Sequence, residues 1–360
     1  MRIGSFPYRP GDNPYQRLFT EAVEAAGASV VRIPPRKLLP IHWALSHGID
    51  LLHLDWPHDF YLGRNRLMTF IKRQMFLSGC RRLRKVPVVW TMHNVIGHDS
   101  AMPEYELRMV QHLVDRCDAI IALSNAAAGV IRQTYRVDGK TRIVVLSHGH
   151  YIDAYPNTTD LIAARDRLGI SRDKKVILYF GRIRPYKGVE DLIEAFGRID
   201  HANAFLVIAG KSSSPGLEAR LQNLSSAQPN ARQIRLELSS VPRNELQYYF
   251  SACDLVALPF RNVLNSGSLL LALSFGRGVV APNVGSIVEV APEGSHFGYK
   301  AGDVEGLAAT LASALDLPDL ALRGERAREH VEQQFGWQQI GEQACKLYTD
   351  LLTSHQSGQA

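Results

Sequence analysis

The sequence is poor in cysteine and contains no long hydrophobic run. Its four cysteines, Cys80, Cys117, Cys253 and Cys345, are far apart and form no C-x-x-C pair. Neither a zinc cage nor a disulfide framework is therefore expected, and a reducing cytoplasm fits best. No segment reaches the roughly eighteen consecutive apolar residues of a membrane-spanning helix, and the first residues lack the apolar stretch of a signal peptide. We expect a protein that is soluble or peripheral on a membrane.

Two nucleotide-binding motifs are also missing. The chain has neither a Walker lysine motif nor a G-x-G-x-x-G run, which argues against an ATPase and against a dehydrogenase. What is present is a chain of 360 residues, 46% hydrophobic and 21% charged, long enough for two domains and too apolar to be disordered. Its net charge of +6 suits an anionic partner such as nucleotide phosphate, a lipid head group or nucleic acid.

Short apolar runs alternate with longer amphipathic stretches along the chain, and this alternation predicts an α/β fold with βα units on parallel sheets. Strands are predicted near 2–5, 29–33, 51–54, 86–91, 119–123 and 142–146. After a polar stretch at 155–160 the pattern restarts, with strands near 175–180, 204–209, 234–238, 255–258 and 278–281. Two similar domains are therefore predicted, with the boundary after residue 155.

The connection at residues 181–188 joins a predicted strand to a predicted helix and carries Arg182, Arg184 and Lys187. Ligands of open α/β sheets bind at the carboxyl ends of the strands, and a helix N-terminus with nearby cations suits a pyrophosphate. This loop is therefore a candidate phosphate site, and the alternative is a solvated basic turn.

A second strand-to-helix connection carries Asn265, Ser266, Gly267 and Ser268. Its hydroxyl, amide and first-turn backbone groups would hold a phosphate or a ribose, with Gly267 permitting close approach of the backbone. The simpler alternative, helix capping by Ser266 or Ser268, is compatible with that role.

Polar loops also follow the predicted strands of the first half. Their candidate residues are Asn13, Tyr15, Asp55, Trp56, His93, Asp99, His148 and His150. The last two histidines are two positions apart and have no third ligand at a fixed spacing, so no metal site is predicted. We expect the histidines to form hydrogen bonds or to act as a general base.

The stretch 71–85 mixes apolar residues with six cations. It suits an anionic membrane surface, with Met75, Phe76 and Leu77 near the head groups, and the alternative is an amphipathic helix whose cations face water. Nucleic acid is not expected as a partner, because no aromatic-interleaved basic strand or zinc finger accompanies the stretch.

Taken in order, these segments resemble glycosyltransferases of the GT-B fold, and more narrowly glycosyltransferase family 94, the β-mannosyltransferase family of xanthan assembly. The segments that carry the resemblance are 13–15, 52–57, 93–99, 148–151, 184–190 and 265–274. The resemblance implies two Rossmann-like domains facing a central cleft, an acceptor-side domain at 1–155 and a nucleotide-sugar domain at 156–334. A C-terminal helix at 335–352 would pack back on the first domain, and 353–360 would be a disordered tail.

The resemblance also implies an activity: transfer of mannose from GDP-mannose to a lipid-linked oligosaccharide in exopolysaccharide assembly, at the cytoplasmic face of the membrane and without a cofactor or metal. Arg182 and Lys187 match the phosphate-binding pair of the wider GT-B pattern, and Val241 lies where the nucleobase packs. The full set of implied donor residues is Gly181, Arg182, Lys187, Val241, Asn265, Ser266, Gly267, Ser268 and His148. The implied acceptor-side residues are Asn13, Tyr15 and Trp56.

One departure bears on the mechanism. Large retaining GT-B families carry two glutamates in an E-x7-E pattern where this chain has residues 263–273, and the second glutamate aligns with Leu271. Family 94 lacks both carboxylates as well and inverts the anomeric centre, which requires a general base. We predict Asp99 as this base and then Asp55, with His93 contacting the donor sugar; Asp99 as a helix cap is the alternative. Residue 55 is histidine in the xanthan enzyme, which weakens the case for Asp55.

Two further interpretations of the sequence remain open. One is a retaining transferase with another nucleotide-sugar donor, and the other is a GT-B scaffold subunit that keeps the nucleotide site without catalysing transfer.

Overall fold

The computed structural model describes residues 1–9, 11, 13–97 and 102–357. Its strands are β1 (Arg2–Phe6), β2 (Ser29–Arg32), β3 (Leu51–Leu54), β4 (Val88–Thr91), β5 (Ala119–Ala122), β6 (Arg142–Val145), β7 (Lys175–Phe180), β8 (Ala204–Ala209), β9 (Ile234–Glu237), β10 (Leu255–Ala257), β11 (Gly278–Pro282) and β12 (His296–Tyr299). Its α-helices are α1 (Tyr15–Ala25), α2 (Pro40–Leu45), α3 (Arg66–Arg82), α4 (Pro103–Val114), α5 (Asn125–Thr134), α6 (Leu161–Leu168), α7 (Val189–Gly197), α8 (Pro215–Ser226), α9 (Leu246–Ala252), α10 (Gly267–Ser274), α11 (Ile287–Val290), α12 (Val304–Leu315), α13 (Leu320–Gln334) and α14 (Trp337–Ser357). Short 3-10 turns lie at Pro57–Phe60, Leu83–Lys85, Pro185–Lys187 and Ala231–Gln233.

The chain forms two compact units, each built on a six-stranded parallel sheet. The first unit combines Met1–Gly149 with the C-terminal segment that begins at Phe335, and the second is the continuous segment His150–Gln334. The boundary falls before the predicted residue 155 because the intervening residues bond to the second unit. The Tyr151 amide donates to Ser274 Oγ (2.9 Å).

The strand order of each sheet reverses at one point. In the first unit the order is β2-β1-β3-β4-β5-β6, so the chain moves outward from β1 in both directions. In the second unit the order is β12-β11-β10-β7-β8-β9, and the reversal lies between β7 and β10. Ligands of open parallel sheets bind in the crevice beyond the carboxyl ends of the two strands at such a reversal. The residues that follow Phe6, Leu54, Phe180 and Ala257 are therefore the ones to examine.

The core of the first unit depends on the last helix of the chain. Ile340, Ala344 and Tyr348 of α14 join Tyr15 and Phe19 of α1 in one buried apolar cluster beneath the sheet. The two helices pack so closely that a Cβ at Gly341 would lie 2.3 Å from the carbonyl oxygen of Ala22. Burial of this many apolar side chains is the main source of stability for such a unit.

The structure differs from the predicted elements mainly where segments are short or weakly patterned. The predicted strands agree with the observed ones to within a few residues, but α2, α4, α6, α11 and β12 were not predicted. The four-residue β12, at one edge of the second sheet, is only partly buried along most of its length, so alternation of polar and apolar residues is faint. Residues 353–357, predicted to be disordered, form the last turns of α14, which ends at Ser357.

Over the described residues, no helix is both long enough and apolar enough to cross a membrane.

A buried arginine ties three elements of the second unit together. Arg165 of α6 is 3% exposed and donates to the carbonyl oxygens of Ala252 (3.1 Å) and Arg172 (2.8 Å) and to Asp254 Oδ2 (2.8 Å). We expect Arg165→Met to lower the free energy of unfolding of this unit by about 3–5 kcal/mol, because it leaves the partners of a buried charge unsatisfied. Urea unfolding measures the loss. Arg167→Met on the same helix removes only surface contacts, an ion pair with Glu245 and a cation–π contact with Tyr248, so an equal loss in both variants would contradict the assignment.

Candidate active site

A buried carboxylate follows β3 at the strand reversal of the first unit. Asp55 is 2% exposed, and its amide donates to the carbonyl oxygen of Phe6 at the end of β1 (3.0 Å). Gln16 Nε2 donates to Asp55 Oδ2 (2.7 Å) and to the Pro7 carbonyl (2.9 Å), which fixes the carboxylate between the ends of the two strands. Trp90 Nε1 donates to the Asp55 carbonyl (2.8 Å), so the backbone is held as well.

The second oxygen of this carboxylate holds a histidine. His93 follows β4, and its Nε2 lies 3.0 Å from Asp55 Oδ1. Because a carboxylate only accepts hydrogen bonds, Nε2 must carry the proton, and Nδ1 is the basic nitrogen of the neutral ring. The His93 ring stacks on Trp56, with 4.1 Å between the ring centroids and 15° between the planes. Its side chain is 11% exposed, so it is more accessible than Asp55.

The charge state of Asp55 suits this arrangement. Burial opposes ionisation of the carboxyl group, but the hydrogen bonds from His93 and Gln16 and the nearby imidazoles outweigh it, so the pKa of Asp55 lies below its ordinary value. Asp55 is therefore ionised near neutral pH and orients His93 as a carboxylate orients a general-base histidine. The pair can accept a proton at Nδ1 and stabilise the resulting imidazolium.

Aromatic rings surround the pair. Tyr15 contacts His93 edge-on (4.9 Å between centroids) and lies 4.7 Å from the ring of His148. Trp337, the first residue of α14, lies 5.9 Å from Tyr15. Burial lowers the pKa of His148 to about 4, and its Nδ1 lies 2.7 Å from the Gly149 carbonyl. His148 is thus neutral at physiological pH and offers a hydrogen-bonding group without charge.

The structure gives the contacts of the residues expected at this site. Both oxygens of Asp55 are buried, and they face His93 and Gln16. Tyr15 is 2% exposed and supports the two histidines from within the core. Asn13 Oδ1 accepts a hydrogen bond from the Tyr15 amide (3.0 Å) at the start of α1. Asp99, predicted as the base, lies outside the described residues.

In the second unit, Lys187 lies at the other strand reversal. Its Nζ is 4.1 Å from the centroid of the Phe260 ring and 5.4 Å from that of Tyr186. Within the described parts of the chain Lys187 forms no ion pair; burial, together with the charge of Arg184, lowers its pKa to about 8. A cation in this position gains from any anion that binds beside it. Arg182, from the same loop, is exposed.

The two predicted donor segments meet at this reversal. A Cβ at Gly188 would lie 1.9 Å from the Pro259 carbonyl oxygen, and the Arg261 amide donates to the Tyr186 carbonyl (3.0 Å). Arg261 Nε also donates to Asp191 Oδ2 (2.8 Å) in the first turn of α7. The loop after β7 and the loop after β10 are therefore bound to one another.

The N-terminus of α10 completes this face. Ser266 Oγ accepts from the Leu269 amide (3.1 Å), so the expected capping role of Ser266 is observed. The Gly267 and Ser268 amides lie in the first helical turn, where backbone donors have no partner within the helix. A Cβ at Gly181 would lie 3.3 Å from Ser268 Oγ, which places this turn against the first loop. Asn265 precedes the cap and is partly buried.

The retaining carboxylates are replaced by apolar residues. Val263 and Leu271, which stand at the two ends of the E-x7-E spacing, are 6% and 8% exposed and contribute to the buried interior. Val241 is partly buried in the loop between β9 and α9. Among the described residues, no group of three or more His, Cys, Asp or Glu side chains is arranged to hold a metal ion.

Three residues that the sequence did not indicate reach these sites from distant parts of the chain. Gln16, Trp337 and Phe260 each contact a predicted site residue through tertiary packing. Gln16 carried the best available signal, since it is a polar residue on the apolar face of an otherwise amphipathic helix. Trp337 carried none, because its neighbours are far away in the sequence.

We expect Gly188→Ala to disrupt the second site. Gly188 has a φ of +68°, and the added Cβ would collide with the Pro259 carbonyl, so the two loops must separate. The expected result is a loss of about 1–3 kcal/mol in the free energy of unfolding, measured by urea unfolding. Gly169→Ala is the matched control. Gly169 also has a positive φ (+61°), but a Cβ added there would meet no atom within 4 Å. Equal loss of stability in both variants would refute the steric explanation.

Comparison with known proteins shows the family to which the chain belongs. The sequence model described as Glycosyl transferases group 1 matches residues 162–330, and that described as Glycosyltransferase Family 4 matches residues 17–153. The chain belongs to these glycosyltransferases, and its two parallel α/β units form the GT-B fold. This confirms the family resemblance and the fold class inferred from the sequence.

Two relatives are similar to this protein over nearly the whole chain. The chain is 29% identical to the GDP-mannose:glycolipid 4-beta-D-mannosyltransferase of Xanthomonas campestris pv. campestris, over 94% of this chain and 89% of the relative. It is 30% identical to the D-inositol 3-phosphate glycosyltransferase of Corynebacterium glutamicum, over 94% of this chain and 87% of that protein. Relatives with different acceptors are thus about equally similar.

Solved structures agree with the fold. Sucrose-phosphate synthase from Thermosynechococcus elongatus superposes with a TM-score of 0.77 at 19% identity, covering 98% of this chain and 100% of that chain. Anabaena HepE in complex with UDP-glucose superposes with a TM-score of 0.76 at the same identity and coverage.

Proposed function

We propose that this glycosyltransferase moves mannose from GDP-mannose to a lipid-linked oligosaccharide acceptor, with inversion at the anomeric carbon. The donor and the glycolipid class of the acceptor follow the activity for which the Xanthomonas relative is named, and that relative is similar over nearly the whole chain. A nucleotide-sugar donor is also supported by the UDP-glucose complex of the Anabaena protein, which shares the fold.

The second unit is proposed to hold the donor diphosphate. Lys187, the exposed Arg182 and the first-turn amides of α10 supply positive charge and hydrogen-bond donors at one strand reversal. As the bond between the anomeric carbon and the diphosphate oxygen breaks, negative charge grows on that oxygen. Preorganised cations and amides stabilise this charge more in the transition state than in the ground state, which is the requirement for catalysis.

The first unit is proposed to supply the base. His93 Nδ1 takes the proton of the acceptor hydroxyl as its oxygen attacks the anomeric carbon, and Asp55 stabilises the imidazolium that forms. One bond from oxygen to the anomeric carbon forms, the bond to the diphosphate breaks, and the products are the glycoside and GDP. His148, neutral and adjacent to Tyr15, is proposed to hydrogen-bond a sugar hydroxyl.

One observation carries the inverting mechanism. Val263 and Leu271 are buried apolar residues where the retaining families place glutamates, whereas a buried carboxylate and a histidine form a general-base pair at the end of the first sheet. A single displacement needs such a base and needs no carboxylate beside the donor.

Incubation of the purified protein with a lipid-diphosphate oligosaccharide and a panel of GDP- and UDP-sugars tests the proposal. We expect GDP-mannose to give product, and the anomeric proton and carbon couplings in the NMR spectrum to identify a β-mannoside. An α-linked product would replace the inverting mechanism by a retaining one. GDP binding without transfer to any acceptor would identify a scaffold subunit.

A second candidate acceptor is a phosphorylated inositol, because the Corynebacterium relative, named for that substrate, is as similar as the Xanthomonas enzyme. The same assay with D-inositol 3-phosphate and each nucleotide sugar separates the two. Product with the soluble inositol phosphate and none with the glycolipid would favour this second function.

A further inference from the structure

The N-terminal half of α3 exposes a continuous apolar strip. Leu67, Phe70 and Ile71 are 70%, 56% and 40% exposed, although helices of globular proteins usually keep such side chains inside. Their spacing of three and four residues places them on one side of the helix. We call these three residues the α3 strip. Thr69 and Phe76, on the opposite side, are buried against the unit.

Helix α3 carries positive charge and no negative charge, and the acid that precedes it, Asp59, is paired with Arg9 (2.6 Å). Residues 60–97 contain eight lysines and arginines and no aspartate or glutamate. Arg66, Arg73, Arg81 and Arg82 of α3 are exposed, and none of them forms an ion pair within the described residues. Arg81 and Arg82 lie about 17–18 Å beyond Phe70 along the helix axis, from the rise of 1.5 Å per residue.

The apolar side chains that α3 exposes are not the ones suggested by the sequence. Phe76 is completely buried, with its ring 5.2 Å from that of Tyr61, and Met75 and Leu77 are partly buried. None of these three is as exposed as the α3 strip, which begins two turns earlier in the helix.

We propose that α3 docks this protein on an anionic phospholipid surface. The α3 strip enters the boundary between head groups and acyl chains, and Arg66, Arg73, Arg81 and Arg82 lie against lipid phosphates. A second copy of the chain is a poor occupant, because two such faces would bring like charges together without acidic partners. Nucleic acid would neutralise the arginines but leave the three apolar side chains in water.

This inference deepens the proposed function, since a lipid-linked acceptor resides in a membrane, but it is tested without donor or acceptor. Co-sedimentation is measured with vesicles of phosphatidylcholine alone and with vesicles in which about one third of the lipid is phosphatidylglycerol. We expect binding to the anionic vesicles, weakening as salt is raised, and little binding to the neutral ones.

Two double variants separate the apolar and the electrostatic contributions of α3 to vesicle binding. Leu67→Gln with Phe70→Gln should reduce vesicle affinity by about tenfold or more per side chain. Arg73→Gln with Arg81→Gln should reduce it about fivefold per charge. The matched control is Leu322→Gln with Arg326→Gln on α13, where both residues are also exposed, and it should bind as the parent does. Thermal unfolding checks that each variant is folded.

Three outcomes would overturn the proposal: equal affinity for neutral and anionic vesicles, vesicle binding unchanged in both α3 variants, or self-association in the absence of lipid that Leu67→Gln with Phe70→Gln abolishes. Transfer to an acceptor dissolved in detergent reports on the proposed function separately. Loss of vesicle binding with transfer in detergent retained would separate docking from catalysis.

Discussion

Replacing His93 by glutamine is expected to lower kcat for sugar transfer by about 10²–10⁴-fold, the usual contribution of a positioned general base. Glutamine retains a polar group near Asp55 but cannot accept a proton at neutral pH. The Kd for GDP should change little, because His93 belongs to the first unit and the proposed diphosphate contacts belong to the second. Single-turnover transfer and isothermal calorimetry measure the two quantities independently.

Two further variants make this test specific. Asp55→Asn should also reduce kcat at least about 100-fold, because an amide neither fixes the Nε2 tautomer nor stabilises the imidazolium. His112→Gln, an exposed histidine on α4, should have no effect. Full activity in His93→Gln would eliminate His93 as the base and return that role to Asp99.

The lowered pKa of Asp55 predicts that the stability of the protein depends on pH. Its pKa is lower in the folded protein than in the unfolded chain, so the unfolded chain binds more protons as the pH falls. The stabilisation from the ionised carboxylate is therefore complete above about pH 4 and is lost as the pH falls through the folded-state pKa. The stability difference between the wild type and Asp55→Asn should shrink in the same range. Urea unfolding at several pH values measures this difference.

Lys187→Met is expected to weaken binding of GDP by roughly 10- to 150-fold, the value of a hydrogen bond to a charged group. It should lower kcat too, because the same cation faces the leaving diphosphate. Lys300→Met, which removes an exposed lysine of the same unit, should leave both constants unchanged. Unaltered GDP affinity in Lys187→Met would disprove the assignment.

The lowered pKa of Lys187 makes donor affinity depend on pH. In the unliganded protein this pKa is about 8, so GDP should bind more weakly as the pH rises above that value, by up to about tenfold per pH unit. Lys187→Arg keeps its charge throughout and should give a flatter profile, which also corrects for titration of the nucleotide. Calorimetry between about pH 7 and about pH 9.5 compares the two proteins.

The lowered pKa of Lys187 also predicts how stability depends on pH, and this dependence distinguishes a loss of GDP binding from misfolding. The unfolded chain binds more protons than the folded protein between the folded-state pKa of about 8 and the ordinary value of 10.5, so stability rises with pH across that window. Below pH 8 the buried charge costs stability. Lys187→Met should consequently bind GDP poorly while unfolding at the same or a higher temperature than the parent.

The sequence predicted best the buried strands and the polar residues in the loops that follow them. Buried parallel strands such as 175–180 and 204–209 are nearly continuous apolar runs, and their bounds were predicted without error. Lys187 and Ser266 were singled out because parallel strands deliver their following loops to one edge of a sheet. The position of Ser266 as a helix cap was also predictable from its residue type.

The sequence did not indicate which of these side chains are buried or which residues from distant segments contact each other. Asp55 and His93 were both candidates, but only the structure shows that one holds the other and that the carboxylate is the inaccessible member. Phe76 was expected at a surface and is buried, because the phase of α3 relative to the sheet depends on packing with Tyr61. Propensity and periodicity carry no information about such contacts.

The discontinuity of the first unit has a consequence for biosynthesis. Its sheet leaves the ribosome first, yet the cluster that includes Tyr15 and Phe19 closes only when Ile340, Ala344 and Tyr348 arrive with the last helix. The second unit is a single uninterrupted segment and can fold while that helix is still being made. The N-terminal half is therefore the last to mature, and a nascent chain stalled before residue 335 would present an open apolar face to chaperones and proteases.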